Sequence, residues 1–334
     1  MNISVVIPVH NAEDTLLRVL KSILPELLDG DQLIVADDRS DDGSAIIANE
    51  IERVEYVSSN HSTGAAGTRN AGASLALNEW ILFVDSDAIP PEGWRKLFED
   101  KMSLGYQGIQ AIYGKTAPGN DASTFYKNYY YHYTFTRRIR SEIVRGCATY
   151  FFAVKRVLFN ELGGFDESFS GASVEDAEFA ARLISHGGEI LLVPEIQIYH
   201  LKQYSFTEFL RYEWMMMRTK TCLLLRNMKD QSRVPSVSMA KPIEMLGVLL
   251  SGILIWFIPA GFLLYSLGEP LGLVAASAGI LSVVVSHGFF WAAMLKDGGL
   301  RGLKAAAVTF PDLMLLLPAI LFSFYQVLIK RNGI

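Results

Sequence analysis

Two long runs without charge dictate where the C-terminal third of this chain can go. Residues 245–267 are 23 in a row with no Asp, Glu, Lys or Arg, and 271–295 add 25 more in which His287 is the one ionisable group. At 1.5 Å per residue a helix of that length reaches about 35 Å, against a hydrocarbon core about 30 Å thick. A buried helix of a soluble domain rarely needs so long an uncharged run, so both read as transmembrane helices. A third stretch, 305–329, carries Pro311-Asp312 near its start and Pro318 in its middle. It either spans or forms a kinked or re-entrant segment, so two to three helices are expected over 242–334.

Charge divides the rest. Residues 1–201 hold 17 Lys+Arg against 28 Asp+Glu, and 202–241 hold 8 against 3. The first part reads as an acidic globular domain and the second as a basic linker. By the positive-inside rule this linker and Lys296, Arg301 and Lys304 all belong in the cytoplasm, which suits two crossings between them. Lys330-Arg331 prefers the same side and opposes a third crossing. No signal peptide opens the chain, so the expectation is a multi-pass protein of the plasma (inner) membrane with its acidic domain cytoplasmic. In a reducing compartment Cys147 and Cys222 are expected as free thiols. The aromatic run 125–133, followed by Arg137, Arg138 and Arg140, pairs rings with cations as nucleic-acid binders do. The acidity of the surrounding domain opposes a phosphate backbone, so no nucleic-acid partner is expected.

Strands and helices alternate in the first two hundred residues. Short apolar runs at 4–8, 32–36, 54–57 and 80–84 are separated by helical patterns, among them an amphipathic stretch to Leu28 with Asn11 as its cap and a Gly/Ala-rich helix over 64–77. Such βαβ alternation predicts a mainly parallel sheet that binds ligands beyond the carboxyl ends of its strands. Pro8–His10, Asp37-Asp38 and Asp85-Ser-Asp87 all fall on that edge. Two carboxylates one residue apart after a buried strand suit a hard divalent cation holding a diphosphate. The tripeptide alone is weak evidence, because sixteen Asp in 334 residues supply roughly one such pattern by chance. Asp29-Gly-Asp31 is a second copy, read as a solvated turn.

Six ordered blocks make the pattern specific. Val5-Val-Ile-Pro-Val-His-Asn11, Ile34-Val-Ala-Asp-Asp-Arg-Ser40, Gly67-Thr-Arg-Asn-Ala-Gly72, Phe83-Val-Asp-Ser-Asp-Ala88, Gly163-Gly-Phe-Asp-Glu167 and Val174-Glu-Asp-Ala-Glu178 resemble the successive motifs of the family-2 inverting glycosyltransferases. The resemblance covers about residues 3–200 and implies a GT-A nucleotide-binding fold. It implies that Asp38 accepts from a uracil ring, with Pro8, His10 and Glu13 packed around the nucleoside and Arg69 near the donor. His10 departs from the frequent Tyr at its position. Asp87 is then the direct metal ligand, with Asp85 nearer the ribose or sugar and His200 a further ligand, for a divalent cation (Mn or Mg).

Glu175-Asp176 is the second expected centre. Inverting transfer requires the acceptor hydroxyl to lose a proton as it attacks the anomeric carbon, and a carboxylate is the natural base. The resemblance assigns this role to Asp176, with Glu175 orienting it or contacting the acceptor. A bland alternative is helix-dipole charge, with a helix beginning near Ser173.

Ser205-Phe-Thr-Glu208 is a capping-box pattern. The helix after it reads as amphipathic and interfacial, Trp214 and three methionines facing lipid. The resemblance makes Arg211 and Arg218 candidates for diphosphate contact. Processive synthases of the family carry Gln-x-x-Arg-Trp in this region, whereas this chain has Arg211-Tyr-Glu-Trp214, so one sugar per encounter is expected. Membrane lipids are expected partners, beside a nucleotide-sugar donor (UDP-sugar favoured) and a lipid-linked or glycan acceptor offering a hydroxyl. A polyprenyl-phosphate acceptor is the alternative, and a non-catalytic nucleotide-sugar-binding membrane subunit is the alternative from another class.

Overall fold

Every residue of Trp80–Val84 is buried, and that continuous apolar strand is the axis on which the N-terminal half is assembled. The computed structural model describes residues 1–58, 64–116, 118–138, 141–169, 174–229 and 242–329. The basic linker beyond Lys229, Ser173, Arg140 and Lys330-Arg331 lie outside the described residues, and so does anything inferred for them from sequence.

In chain order the elements are β1 (Ile3–Val9), α1 (Glu13–Ile23), β2 (Gln32–Asp37), α2 (Ser44–Asn49), β3 (Val54–Ser58), α3 (Gly64–Ser74), β4 (Trp80–Val84) and β5 (Ala88–Ile89). There follow α4 (Trp94–Met102), β6 (Gly108–Tyr113), α5 (Ala122–Tyr133), β7 (Ile143–Val144), β8 (Phe151–Lys155), α6 (Arg156–Glu161), α7 (Glu175–Ser185) and β9 (Ile190–His200). The C-terminal part is helical: α8 (Phe206–Lys229), α9 (Pro242–Leu254), α10 (Phe257–Ser266) and α11 (Leu271–Phe324).

The sheet runs β3-β2-β1-β4-β8-β6-β9-β5, with β7 against β9. Its first four strands are parallel, as the alternation predicted. Beyond β4 the sheet is mixed: β8 enters antiparallel to both β4 and β6, while β6 and β9 run parallel. This is the GT-A architecture, a parallel half joined to a mixed half.

Local differences from the sequence reading have physical causes. Asn11 does not cap α1; it sits at φ 51°, and its Oδ1 accepts from Asp41 N–H at 2.9 Å, so Ala12 takes the cap position. Helix α1 stops at Ile23 and tightens into a single turn over Leu24–Glu26, because Pro25 cannot continue the hydrogen-bond ladder. Asp31 is not solvated: its side chain is fully buried, pairs with Arg95 at 3.0 Å and accepts from Ile3 N–H at 2.8 Å. The second Asp-x-Asp is thus a structural pin between β1, β2 and α4. The Gly/Ala-rich α3 packs tightly on the sheet, since a Cβ at Gly72 would lie 2.5 Å from Val6 Cγ1 and 3.1 Å from Ala36 Cβ.

The apolar helices form where the uncharged runs predicted them. Leu246–Ser266 and Leu271–Val327 are each long and apolar enough to cross a membrane. Within their most apolar windows 22% and 28% of residues are buried by protein, far less than a core helix requires, so these faces suit lipid. At 54 residues α11 would extend roughly 80 Å if straight, more than twice a bilayer core. It is not straight. Gly299 takes φ 52° and ψ −129°, a backbone open to glycine, and divides it into arms 271–298 and 300–324. The arms fold back on each other: Trp291 Nε1 donates to Thr309 Oγ1 at 2.9 Å, and Gly302 packs on the Met294 carbonyl.

The capping box of α8 forms as its pattern predicted. Ser205 N–H donates to Glu208 Oε2 at 2.8 Å, and Glu208 N–H returns to Ser205 Oγ at 3.4 Å. Its apolar face, however, meets protein. Phe209 is buried against Tyr126, the Trp214 ring lies tilted against Phe322 and Met216 is buried, while Met215 is exposed. The helix is long and two-faced as expected, but the return arm of α11 takes the place that sequence gave to lipid. Helix α5 is the keel between the two halves. Asp121 caps it, Tyr126 Oη donates to Asp312 Oδ2 at 2.8 Å, and Tyr129 Oη donates to Asp297 Oδ2 at 2.6 Å. Most of the tyrosines of 125–133 are therefore core and interface residues.

Candidate functional site

At the carboxyl end of β4 the chain turns through Asp85-Ser-Asp87 and enters β5, which pairs antiparallel with the last residues of β9, Ala88 opposite His200. That pairing carries the site. It sets His200 Nε2 3.3 Å from Asp87 Oδ1, locked by Leu201 N–H donating to the Asp87 carbonyl at 2.7 Å. One ligand atom each from Asp85, Asp87 and His200 lies within 4.8 Å of the others, and all three residues are partly accessible. Two carboxylates and an imidazole form a mixed oxygen and nitrogen set. It fits Mn²⁺ or Mg²⁺ and, through the imidazole, leans to the softer of the two. The Tyr113 ring, stacked on Tyr131 at 4.8 Å, lies 5.1 Å from the His200 ring and backs it.

Arg69 joins this cluster to the second acidic centre. It projects from α3 into the interior, one terminal nitrogen donating to Asp85 Oδ1 at 2.9 Å and the other to Glu175 Oε1 at 2.8 Å. The Arg69 and Glu175 side chains are 5% and 4% exposed, so neither charge could stand there without the other. Burial alone would lower the guanidinium's affinity for its proton, but Asp85 and Glu175 more than offset this and hold it raised. The resemblance placed Arg69 near the donor; its two hydrogen bonds, one to each acidic block, were not visible in the sequence.

Asp176 follows Glu175 in the first turn of α7 and is half-buried. Burial, then the adjacent Glu175 charge, pushes its carboxyl up to about 7, while Arg69 and its own turn's Ala177 N–H at 2.7 Å pull the other way. A carboxyl poised near neutrality can take a proton from a hydroxyl and release it again. Lys220, in the interior of α8, is a further cation within electrostatic reach of Asp176, and nothing in the sequence sets it apart from any solvated helix lysine. Cys147 and Cys222 are free and buried, as expected. Cys147 Sγ donates to the Asp176 carbonyl at 3.2 Å, and burial pushes its thiol well up, so it is an inert packing group.

The nucleoside end lies at the tips of β1 and β2. Asp37 is consumed by its own turn, accepting from Ser40 N–H at 3.0 Å and from Tyr56 Oη at 2.7 Å. Asp38 stands beside it and is buried, its carbonyl 2.9 Å from His10 Nδ1 and its N–H donating to the Val9 carbonyl. Pro8 pairs with Ala36 one position before the β1–β2 register ends at Val9 opposite Asp37. Glu13 lies next to this end, but its Oε2 accepts from Gly43 N–H at 2.7 Å and so fixes the start of α2. Asn70 clamps the glycine turn: its amide brackets Phe165 N–H and carbonyl at 2.9 Å each, closing α3 onto Gly163–Asp166, where Gly164 takes φ 70°.

The structure thus brings Asp85, Asp87, His200, Arg69, Glu175 and Asp176 together and sets Pro8, His10 and Asp38 at the neighbouring strand ends. It does not bring Arg218 to them. That guanidinium donates to Gln326 at 2.7 Å and covers the Phe322 ring at 4.5 Å. Arg211 is exposed on the first turns of α8.

Known proteins resemble this chain in sequence and fold. Residues 4–163 match the family described as Glycosyl transferase family 2. A glucosyltransferase of Escherichia coli, "UDP-Glc:alpha-D-GlcNAc-diphosphoundecaprenol beta-1,3-glucosyltransferase WfaP", is 33% identical over 25% of this chain and 35% of its own length. The "O-antigen chain rhamnosyltransferase RfbN" of Salmonella typhimurium is 28% identical over 64% of this chain and 70% of its own. Among solved structures, a mannosyltransferase from Pyrobaculum calidifontis in complex with GDP-Man and Mn²⁺ superposes with a TM-score of 0.59 at 16% identity, over 97% of this chain and 87% of that one. At that identity the likeness speaks for the fold, the apolar helices included. Residues 4–163 carry the glycosyltransferase family 2 match within a GT-A fold, and helices capable of spanning a membrane follow that fold. The chain spans about a third of the length of the glucosyltransferase and about two thirds of the rhamnosyltransferase.

Proposed function

We propose that this protein is a membrane-anchored inverting glycosyltransferase that moves one sugar from a nucleotide-diphosphate sugar, UDP-sugar favoured, to a hydroxyl of a lipid-linked or glycan acceptor. The observation that carries the reading is Arg69, which holds the Asp85-Asp87-His200 cluster and the Glu175-Asp176 pair in one buried frame. A binding subunit needs the first group; the second, with a carboxyl near neutrality, is what transfer adds.

Asp38, His10 and Pro8 are placed to receive the nucleoside at the strand ends. Asp85, Asp87 and His200 would hold a divalent cation, Mn²⁺ or Mg²⁺, which supplies Lewis-acid stabilisation to the departing diphosphate. Asp176 takes the acceptor hydroxyl's proton as its oxygen attacks the anomeric carbon, and the bond to the diphosphate breaks on the opposite face. Glu175 cannot serve as the base while its carboxylate is bonded to Arg69, so it positions its neighbour. The activities of the similar proteins, on a diphosphoundecaprenol-linked sugar and an O-antigen chain, support a lipid-linked envelope glycan as acceptor. Helices that suit lipid support a site at the cytoplasmic face of the inner membrane.

The decisive experiment is a donor screen with membrane lipid extract, reading released nucleoside diphosphate. Release with one donor that requires both metal and acceptor is expected. Binding of donor without any turnover would instead establish the non-catalytic subunit. Full activity in Asp176→Asn would point to a polyprenyl-phosphate acceptor, which is already ionised and needs no base.

A further inference from the structure

Away from the acidic centre, a cavity of about 440 Å³ opens where the catalytic half meets the elbow of α11. It is lined by Lys115, His132, Tyr133, Arg137, Gln197 and Asp297, with Tyr129 and Thr136 completing its walls. Neither the donor site nor the proposed base uses any of these residues.

Its chemistry is that of an anion site with a fixed frame. Asp297 is the frame: its two oxygens take Tyr129 Oη at 2.6 Å and Lys115 Nζ at 2.7 Å, which ties the elbow to α5 and to the chain after β6. His132 Nδ1 lies 2.9 Å from the Tyr113 carbonyl, which can only accept, so Nδ1 carries the proton. Burial lowers the basicity of that ring, leaving it a neutral wall. Charge is then contributed by Lys115 and Arg137 against Asp297, a surplus of one positive charge. Lys115 is 49% exposed at its side chain and Arg137 is exposed, so both can turn toward an incoming anion.

The position identifies the anion. The elbow beyond Asp297 exposes Leu300 at 71% and Leu303 at 56%, beside exposed Lys304. Exposed leucines alternating with cations are the composition of a surface that sits at the acyl–headgroup boundary, leucines in the chains and cations among the phosphates. A cavity at that depth faces phosphodiester headgroups before any other anion.

We propose that this cavity binds the phosphate of an anionic membrane lipid, with Arg137 and Lys115 as its charge partners, and so fixes the height and tilt of the catalytic half above the membrane. Basic residues near an anionic surface contribute about 1 kcal/mol each, close to fivefold in affinity.

The test uses the full chain, purified in mild detergent and mixed with phosphatidylglycerol or phosphatidylcholine, with lipid retention read by native mass spectrometry. Retention of phosphatidylglycerol over phosphatidylcholine is expected. It should fall about fivefold in Arg137→Ala and further in Arg137→Ala combined with Lys115→Ala, while Arg137→Lys retains most of it. Lys304→Ala, which leaves the cavity whole, should change retention little. Equal losses in Lys304→Ala and Arg137→Ala would reduce the effect to general surface charge and overturn the site. Inorganic phosphate that displaces the lipid completely would assign the cavity to a soluble anion and overturn the lipid assignment. Unchanged donor turnover in detergent shows that the variants fold, because none of these residues belongs to the reaction centre.

Discussion

His200 Nε2 lies 3.3 Å from Asp87 Oδ1, although one residue ends β9 and the other precedes β5. The two-residue antiparallel pairing of β5 with β9 brings them there, and it turns an Asp-x-Asp turn into a three-ligand site. Without the imidazole, two half-exposed carboxylates would hold a divalent ion weakly. With it, the donor set gains a nitrogen whose ring is packed against Tyr113.

If this trio holds the catalytic cation, Asp87→Ala should lower nucleotide release by at least about 100-fold, the scale of losing a directly placed electrostatic partner. His200→Ala should lose about 10–100-fold and shift the metal requirement to higher concentration. Titration of Mn²⁺ by electron paramagnetic resonance, alongside release assays with chelator, checks both. Wild-type release in the presence of excess chelator would remove the cation from the reaction.

Asp176 makes the reaction and the stability respond to pH in opposite senses. Its carboxyl is raised from the ordinary 3.8 to about 7, so a base role requires pH above that value. The rate should climb through about pH 7 and then level. Asp176→Asn should abolish the limb and cost about 10²–10⁴ in turnover. Folding runs the other way. Between about pH 4 and 7 the native carboxyl keeps a proton that the unfolded chain releases, so its contribution to stability is lost as pH rises across that window. Thermal melts of wild type and Asp176→Asn across that range should converge at low pH and diverge above it, the Asn variant being the more stable at the upper end.

Arg69 is the member whose removal should damage structure as well as activity. Arg69→Met leaves Glu175 buried without its cation, a loss of about 3–5 kcal/mol. Arg69→Lys can reach one acid only and should recover part of it. Denaturant unfolding gives the comparison. The accompanying double variant Arg69→Met with Glu175→Gln should recover stability without recovering turnover.

Gly72 reports on how closely α3 lies to the sheet. In an open helix Gly→Ala stabilises by about 1 kcal/mol. Here the added Cβ would stand 2.5 Å from Val6 Cγ1, and overpacking of about 1–3 kcal/mol should exceed that gain. A net loss in denaturant midpoint for Gly72→Ala is the expected sign, and a gain would mean that Val6 yields easily.

Tyr126 Oη donates to the Asp312 carboxylate across the junction of α5 and α11. Tyr126→Phe keeps the ring contacts with Phe209 and Phe290 and removes that bond alone. A loss of about 1–3 kcal/mol is expected, seen as a lower melting temperature of the full chain in detergent.

Local patterns in the sequence determined a good deal. The apolar strand 80–84, the alternation of strands with helices, the capping box at Ser205–Glu208 and the uncharged runs after 245 each depend on neighbours a few residues apart. Periodicity and composition report such features directly. The Asp85-Ser-Asp87 turn and the Glu175-Asp176 pair were likewise legible as acidic blocks at element ends. What they were for was settled by contacts between distant segments. Asp29-Gly-Asp31 has the same local pattern as Asp85-Ser-Asp87, yet one is a buried pin on Arg95 and the other faces His200, because strand order alone decides which partner arrives. Helix α8 has a lipid-ready face by composition, and the fold-back at Gly299 covers much of it with protein. Arg69 reads as one basic residue on a small-residue helix, and only the packing of α3 on β1 and β2, which sets its guanidinium against both Asp85 and Glu175, makes it the bridge between two acidic centres. Chain pairing at long range has no local signature, so the site's ingredients could be read from the sequence while their assembly belonged to the tertiary structure.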